Sequence, residues 1–249
     1  MVPDEFRLNG DVAVIAGGGR SRMKHVALAL AEAGAVVVVT GSDEKSLAGI
    51  VEQACVRDLK VSAMPSDLKS SKDIETITEE FLSQFGKIDI LVNNFNLEFG
   101  KPFLEISEQE WGRVLDSNLN GVFLCSKIMG KNMVDRKSGR IVNIVAGPAE
   151  RGLPNGAAYC VAMGGVVQLT RALALEWAPL NVRVNAVGIG WMEEGADGNG
   201  QDPVARYIPM GMRGRGEDIS PLVVFLASRA SSYLSGCICY ADGGLMCSY

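Results

Sequence analysis

Residues that many hydrolases and metalloenzymes require are scarce in this 249-residue chain. It has a single histidine, His25, so catalysis by a nucleophile paired with histidine lacks its usual base. The six cysteines are scattered and have neither the C-x-x-C spacing nor the histidine partners of a zinc site. We therefore expect reduced thiols and no bound metal.

Surplus positive charge and long apolar runs are also absent. The chain has 24 basic and 29 acidic residues and a formal net charge of −5, which gives no electrostatic reason to bind nucleic acid or an anionic membrane. No uninterrupted run of about 18 apolar residues predicts a spanning helix. The N-terminal stretch MVPDEFRLNG lacks the basic and apolar blocks of a signal peptide. We expect a cytoplasmic protein that binds neither nucleic acid nor membrane.

The chain does contain 47% hydrophobic residues in a regular alternation of two segment types. Short β-branched runs predict strands at Val12–Ala16, Ala35–Thr40, Val61–Met64, Ile88–Val92, Arg140–Val145, Val182–Val187 and Cys237–Tyr240. Helical spacing predicts helices at Arg22–Ala33, Glu44–Arg57, Ser71–Phe85, Glu108–Val134, Ala157–Trp177 and Glu217–Ala227. This alternation predicts a single α/β domain over residues 1–249, with a doubly wound parallel seven-stranded sheet and helices on both faces.

One stretch, 191–209, has no periodicity and contains the sequence EEGADGNGQD. Its acidic residues and glycines predict a mobile flap over the ends of the strands. A solvated loop without a role in ligand binding is an equally supported interpretation.

Several motifs lie at the predicted strand ends. They are Gly17-Gly18-Gly19 after the first strand, Asn93-Asn94 after the fourth, Asn118 in a long helix, Tyr159 at the start of the next helix, Arg183-Val184-Asn185-Ala186, and Asp242-Gly243-Gly244. With these motifs the chain resembles the short-chain dehydrogenase/reductase family from about Leu8 to Leu245. The resemblance implies a Rossmann-type fold, a dinucleotide site at the carboxyl ends of the strands, and catalysis by a tyrosine.

By this resemblance, the positions that match the family's cofactor site are Gly17, Arg20, Asp67, Asn93 and Gly190. Four other positions depart from it. Ser21 and Met23 replace glycines of the phosphate-binding loop, and the bulk of Met23 is expected to push into the phosphate space or into the contact between helix and strand. Phe95 replaces a small residue and is expected to fill the space of the adenine ribose, and Glu194 places a negative charge near the pyrophosphate. The segment Thr40-Gly41-Ser42 selects neither NAD nor NADP. These departures predict that the chain binds no cofactor.

The catalytic positions depart from the family in the same way. Tyr159 and Asn118 match the family's tyrosine and asparagine, whereas Met163 replaces its lysine and Ala146 its serine. Without the lysine's positive charge the ionised tyrosine loses its stabilising partner, and Lys127 is a weak substitute candidate. Tyr159 and Asn118 are therefore predicted to be relics, with no catalytic set intact.

These observations favour a non-catalytic subunit that assembles with an active NAD(P)-dependent alcohol or hydroxyacyl dehydrogenase paralogue. The assembly would be heterotetramer-like, as in hetero-oligomeric hydroxyacyl-CoA dehydrogenases, with the cofactor in the partner; a homo-oligomer is the other form of assembly. The alternative is an active oxidoreductase that interconverts a hydroxyl and a carbonyl with atypical catalytic residues. A ligand-sensing protein and a cofactor-free lyase or cyclase remain open.

Overall fold

The computed structural model describes residues 3–19, 21–193 and 202–247. Within these ranges seven parallel strands form one sheet in the order β3-β2-β1-β4-β5-β6-β7. The strands are β1 Val12–Ala16, β2 Val36–Thr40, β3 Val61–Ala63, β4 Ile90–Asn93, β5 Gly139–Ala146, β6 Val182–Ile189 and β7 Ile238–Ala241. The helices are α1 Ser21–Glu32, α2 Glu44–Val56, α3 Ser71–Phe85, α4 Glu108–Leu115, α5 Gly121–Arg136, α6 Ala157–Trp177 and α7 Gly216–Ala227. The predicted fold class is confirmed.

The strand order reverses between β1 and β4, which places a ligand-binding crevice at their carboxyl ends. β1 pairs with β2 on one side, where Ala16 lies opposite Thr40. On the other side it pairs with β4, where Ala16 lies opposite Asn93. The loops after these three strands therefore meet at one edge of the sheet.

The helix predicted over Glu108–Val134 is interrupted. α4 ends at Leu115, a π-helical turn spans Asp116–Asn120, and α5 begins at Gly121. The buried side chain of Asn118 lies in this turn and bonds to the backbone of Leu97, outside the helix. Hydrophobic periodicity could not predict the interruption, because both segments remain amphipathic and the wider turn depends on a contact made 21 residues away.

Among the described residues, one helix is long and apolar enough to span a membrane. The stretch Ala157–Leu180 has a mean hydropathy of 1.4. In the fold this stretch is α6 with the turn that follows it, and its residues Val166 and Val167 are buried against Val145 of β5 and Ala186 of β6. Packing in the core accounts for part of its apolar composition.

A buried carboxylate links β1, β4 and α5. Asp89, whose side chain is 5% exposed, forms ion pairs with Lys87 and Arg136, both at 2.7 Å, and accepts a hydrogen bond from the Val12 N–H at 2.9 Å. Burial raises the pKa of Asp89, but the hydrogen bonds from Lys87, Arg136 and Val12 outweigh burial, so its pKa lies below the ordinary value. The ionised form therefore stabilises the fold.

The ring of Phe95 fills space that a glycine leaves open. Phe95 packs against the core cluster that contains Cys125 and against the one that contains Val122 and Tyr159. A Cβ added at Gly121 would lie 2.8 Å from Cδ1 of Phe95. The ring thus packs onto the first turn of α5.

We predict that Asp89→Asn lowers the free energy of unfolding by about 3 kcal/mol at pH 7, because two cations lose their buried partner. Urea denaturation measures this loss. The pKa of Asp89 is lowered in the folded protein, so its contribution is complete above the unfolded carboxyl pKa and disappears as the pH falls. The gap between wild type and variant should therefore narrow below about pH 4. Asp135→Asn, which breaks an exposed ion pair with Lys131, is the control and should have little effect.

We also predict that Gly121→Ala destabilises the protein by about 1–3 kcal/mol, because the added methyl collides with the Phe95 ring. Phe95→Ala should cost about 3 kcal/mol. The double variant should cost at least about 1 kcal/mol less than the sum, because the new methyl enters the vacated space. Gly112→Ala in α4, where an added Cβ meets no atom within 4 Å, should not destabilise. Additivity at 95 and 121 would contradict this packing.

Candidate functional site

A glycine turn after β1 forms one wall of the crevice. Gly17 has a φ of +80°, and a Cβ there would collide with the carbonyl oxygen of Asn94. The N–H groups of Gly17 and Gly18 donate to the Thr40 carbonyl at 3.0 and 2.9 Å, and the Asn94 side chain donates to the Gly17 carbonyl at 2.9 Å. Only glycine accommodates both the positive φ and this close approach. The turn is thereby bound to the ends of β2 and β4.

Polar groups beside this turn fit a ligand with phosphate and hydroxyl groups. Among the described residues, the buried oxygens Thr40 Oγ1 and Asn94 Oδ1 have no hydrogen-bond partner. A buried acceptor left unpaired costs about 1–3 kcal/mol, so a donor from a ligand would stabilise the site. α1 begins directly after the turn at Ser21, and the N–H groups of its first residues favour an anion. The residues present therefore fit a dinucleotide.

The substitutions in the phosphate-binding loop do not obstruct this space. The side chain of Met23 is fully buried and packs in the core with Ala13, Ile15 and Val26. Ser21 lies exposed at the first position of α1. Of the two positions expected for the Met23 side chain, the phosphate space is wrong, because the side chain lies at the contact between α1 and the sheet.

The ring of Phe95 is also directed away from the crevice, because it packs on Gly121 of α5. The expectation that Phe95 fills the ribose space is therefore also wrong. Arg20, which matches the family's cofactor site, and Glu194, which departs from it, lie outside the described residues.

The remaining predicted cofactor residues lie at three different strand ends. Asn93, at the end of β4, is fully buried and donates to Ser126 Oγ at 3.1 Å and to Asn143 Oδ1 at 2.9 Å. Gly190 follows β6, and a Cβ there would lie 2.8 Å from the Cα of Asp242. Asp67 follows β3, is half-exposed and pairs with Lys69 at 2.7 Å. Asn93 and Gly190 thus shape the sheet edge, whereas Asp67 is accessible to a ligand.

The predicted catalytic residues meet around Tyr159. Its hydroxyl, on a residue only 7% exposed, donates to Oδ1 of Asn96 at 2.6 Å. Met163 is 1% exposed and belongs to the same apolar cluster as Tyr159, with Ala146 packed against that cluster. Lys127 is no substitute for the lysine, because its exposed ammonium lies over the Phe123 ring, 5.7 Å from the centroid.

Asn118 acts on the backbone of the loop after β4. Its Oδ1 accepts from the Leu97 N–H at 2.6 Å, and its Nδ2 donates to the Leu97 carbonyl at 2.9 Å. Asn118 therefore holds the loop that carries Asn96. The motifs do not predict that Asn96 bonds to the tyrosine. The visible signal in the sequence is an amide at position 96, where the family pattern has a small residue.

The predicted flap is described only at its flanks. Glu193 N–H donates to the Gly214 carbonyl at 2.8 Å, and Arg213 holds Asp202 through Nε at 2.5 Å. The Trp191 ring lies edge-on to Tyr207 with centroids 6.4 Å apart. Residues 194–201 lie outside the described residues, so the mobility of the flap stays a prediction.

Comparisons with known proteins agree with this geometry. A family profile described as "Enoyl-(Acyl carrier protein) reductase" matches residues 20–246. The chain is 33% identical over 242 residues to a 3-oxoacyl-[acyl-carrier-protein] reductase of Synechocystis sp., covering 96% of this chain and 98% of that protein. It is also similar to a gluconate 5-dehydrogenase from Burkholderia cenocepacia in complex with NADP and tartrate, with 29% identity, a TM-score of 0.91 and 99% of each chain covered. An NAD(P) dependent gluconate 5-dehydrogenase from Beutenbergia cavernae with bound NADP has 33% identity and a TM-score of 0.90, and the match covers 98% of this chain and all of that one.

These relatives overturn two predictions. The non-catalytic subunit is contradicted, because full-length relatives are named as reductases and dehydrogenases. The prediction that this chain binds no cofactor is contradicted by similar structures that contain NADP, and physically by the positions of Met23 and Phe95 in the core. Neither a degenerate lineage nor a hetero-oligomer is shown. The family itself is shown by a match over nearly the whole length: the chain belongs to the short-chain dehydrogenase/reductase family.

Proposed function

We propose that this chain binds a nicotinamide dinucleotide itself and is an NAD(P)-dependent oxidoreductase that interconverts a hydroxyl and a carbonyl. The observation that carries the proposal is the buried Tyr159 hydroxyl, held by Asn96 in the loop after β4. That same loop contacts the glycine turn through Asn94. A proton donor and a site for phosphates are thus supported by one short segment.

Different residues of the chain would bind different parts of the dinucleotide. The turn Gly17–Gly19 and the start of α1 would hold the diphosphate, and Asn94 and Asp67 would face the adenosine half. Gly190 and Trp191 would lie beside the nicotinamide. When bound, such a cofactor supplies or accepts a hydride.

Tyr159 would move the proton. In carbonyl reduction its O–H donates to the carbonyl oxygen, and in alcohol oxidation its phenolate accepts the hydroxyl proton. Because position 163 holds methionine instead of lysine, the phenolate gains no charge from that position. We therefore expect slower turnover than a lysine at this position would give.

We further propose that the protein assembles from copies of itself. Large apolar side chains lie exposed on α5 and α6, namely Phe123, Val161 and Leu175. Exposed apolar side chains of this size favour burial in an interface. A second copy of this chain could cover them without a paralogue.

We predict that NADH or NADPH binds with a dissociation constant in the micromolar range and quenches Trp191 or takes up its excitation energy. A fluorescence titration measures this, with Trp191→Phe as the control for the reporter. Gly17→Ala should weaken binding at least about tenfold, because its methyl displaces the loop from Asn94. Gly10→Ala, at the same φ of +80° with nothing within 4 Å, should bind like wild type. No binding up to millimolar concentration would overturn the proposed function.

We also predict that the protein oxidises reduced cofactor in the presence of a carbonyl compound. Suitable panels are 3-oxoacyl thioesters and the keto acids that oxidation of gluconate gives, because 3-oxoacyl groups and gluconate appear in the relatives' names. Tyr159→Phe should reduce turnover by a factor of about 10² or more, because the proton donor is removed. Met163→Lys should raise turnover about tenfold, whereas Met163→Leu, which adds no charge, should show no gain. Full activity in Tyr159→Phe would show that the proton comes from elsewhere.

A further inference from the structure

We propose that Asn96 is the positioning residue for Tyr159 and substitutes for the polar partners that positions 146 and 163 do not provide. This inference rests on the proposed function, since it assigns a role within the same site. Its central observation is the 2.6 Å hydrogen bond from the Tyr159 hydroxyl to Asn96 Oδ1. The residues that would otherwise hold the hydroxyl are Ala146 and Met163, which have no polar side-chain atom suited to it.

The backbone around Asn96 is fixed on both sides. Before it, the Asn94 side chain bonds to the Gly17 carbonyl, and the Phe95 ring packs on Gly121. After it, both the N–H and the carbonyl of Leu97 bond to Asn118. Three neighbours of Asn96 are therefore anchored, one to the turn after β1, one to α5 and one to the π-helical turn. This anchoring sets the direction of the Asn96 side chain without help from the residue itself.

An amide suits a group that alternates between phenol and phenolate. Its oxygen accepts from the O–H of the neutral tyrosine, and after rotation about Cβ–Cγ its NH₂ donates to the phenolate. A carboxylate could accept but not donate, and an aliphatic side chain could do neither. The apolar residues that pack with Tyr159, among them Val122 and Val145, strengthen such a bond by keeping water away.

The proton step balances with this exchange of partners. During carbonyl reduction the Tyr159 O–H bond would break and the proton would form a bond to the carbonyl oxygen, and a reduced nicotinamide cofactor, when bound, would supply the hydride for the carbonyl carbon. The electron pair of the broken bond would stay on the phenolate oxygen. That oxygen would then accept a hydrogen bond from the amide NH₂ of Asn96. A proton from solvent restores the phenol. Asn96 exchanges no atom with the substrate and acts only through Tyr159.

The test is the ionisation of Tyr159 in the protein without cofactor. Tyrosine labelled with ¹³C at Cζ gives one resonance for each of the five tyrosines, and Tyr159→Phe assigns the relevant one. Asn96→Asp should raise the titration midpoint by about 1–3 pH units, because a negative charge then faces the phenolate. Asn96→Leu should raise it by about one unit, since the phenolate loses its donor in an apolar site. Asn120→Leu, an exposed amide on the neighbouring π-helical turn, should leave the midpoint unchanged.

Two readouts separate this inference from the proposed function. If Asn96→Leu and Asn96→Asp both leave the midpoint within about 0.3 units of wild type, Asn96 does not hold the hydroxyl and the inference is overturned. If the midpoint shifts as expected but the wild type never oxidises reduced cofactor, the hydrogen bond is confirmed and the proposed function fails. In an active protein, Asn96→Asp should move the rise of alcohol oxidation to higher pH by the same amount. Asn96→Ala, which removes the amide and has no polar side-chain atom, should raise the midpoint as Asn96→Leu does and provides the comparison if the aspartate variant does not fold.

Discussion

The close approach of the Gly17 turn to the loop after β4 is the contact on which the site depends. With glycine at 17, the backbone of the turn comes within contact distance of the Asn94 carbonyl, and the Asn94 side chain closes the gap with a hydrogen bond. The same loop continues through Phe95 and Asn96 to Leu97, which Asn118 holds. A side chain at position 17 would separate the two loops and move the phosphate site away from the tyrosine. The proposed cofactor site and the proposed proton donor thus share one support.

Several departures from the family pattern are compensated by neighbouring residues. The bulky Phe95 is accommodated because position 121 is a glycine, and Met23 is accommodated in the core between α1 and β1. Each substitution looks damaging when it is compared with the family pattern one position at a time. Packing is decided by pairs of positions, and the second member of each pair lies far away in sequence. The number of departures from the family motif is therefore larger than the change in the shape of the site.

The catalytic positions show a different kind of change. Met163 and Ala146 have no polar side-chain atom that could bond to the tyrosine hydroxyl, and the Lys127 ammonium lies over the Phe123 ring instead. In the arrangement proposed above, the amide of Asn96 takes their place; it lies in the loop after β4, 63 residues from the tyrosine it bonds. Such a replacement changes how the tyrosine is stabilised, from a cation to a neutral group that accepts and donates. The chemistry that we propose for this site is proton transfer by Tyr159 itself.

The sequence by itself determined the sheet, the order of strands and helices, and the edge at which the site lies, because hydrophobic period and glycine position are local signals. It also identified Tyr159 and Asn118, whose neighbours in sequence are characteristic. Only the tertiary structure decided where the side chains of Met23 and Phe95 point, where the long helix is interrupted, and which group holds the tyrosine. Each of these depends on contacts between residues distant in sequence, such as Phe95 with Gly121 and Asn96 with Tyr159. A linear pattern contains the two partners but does not state that they touch.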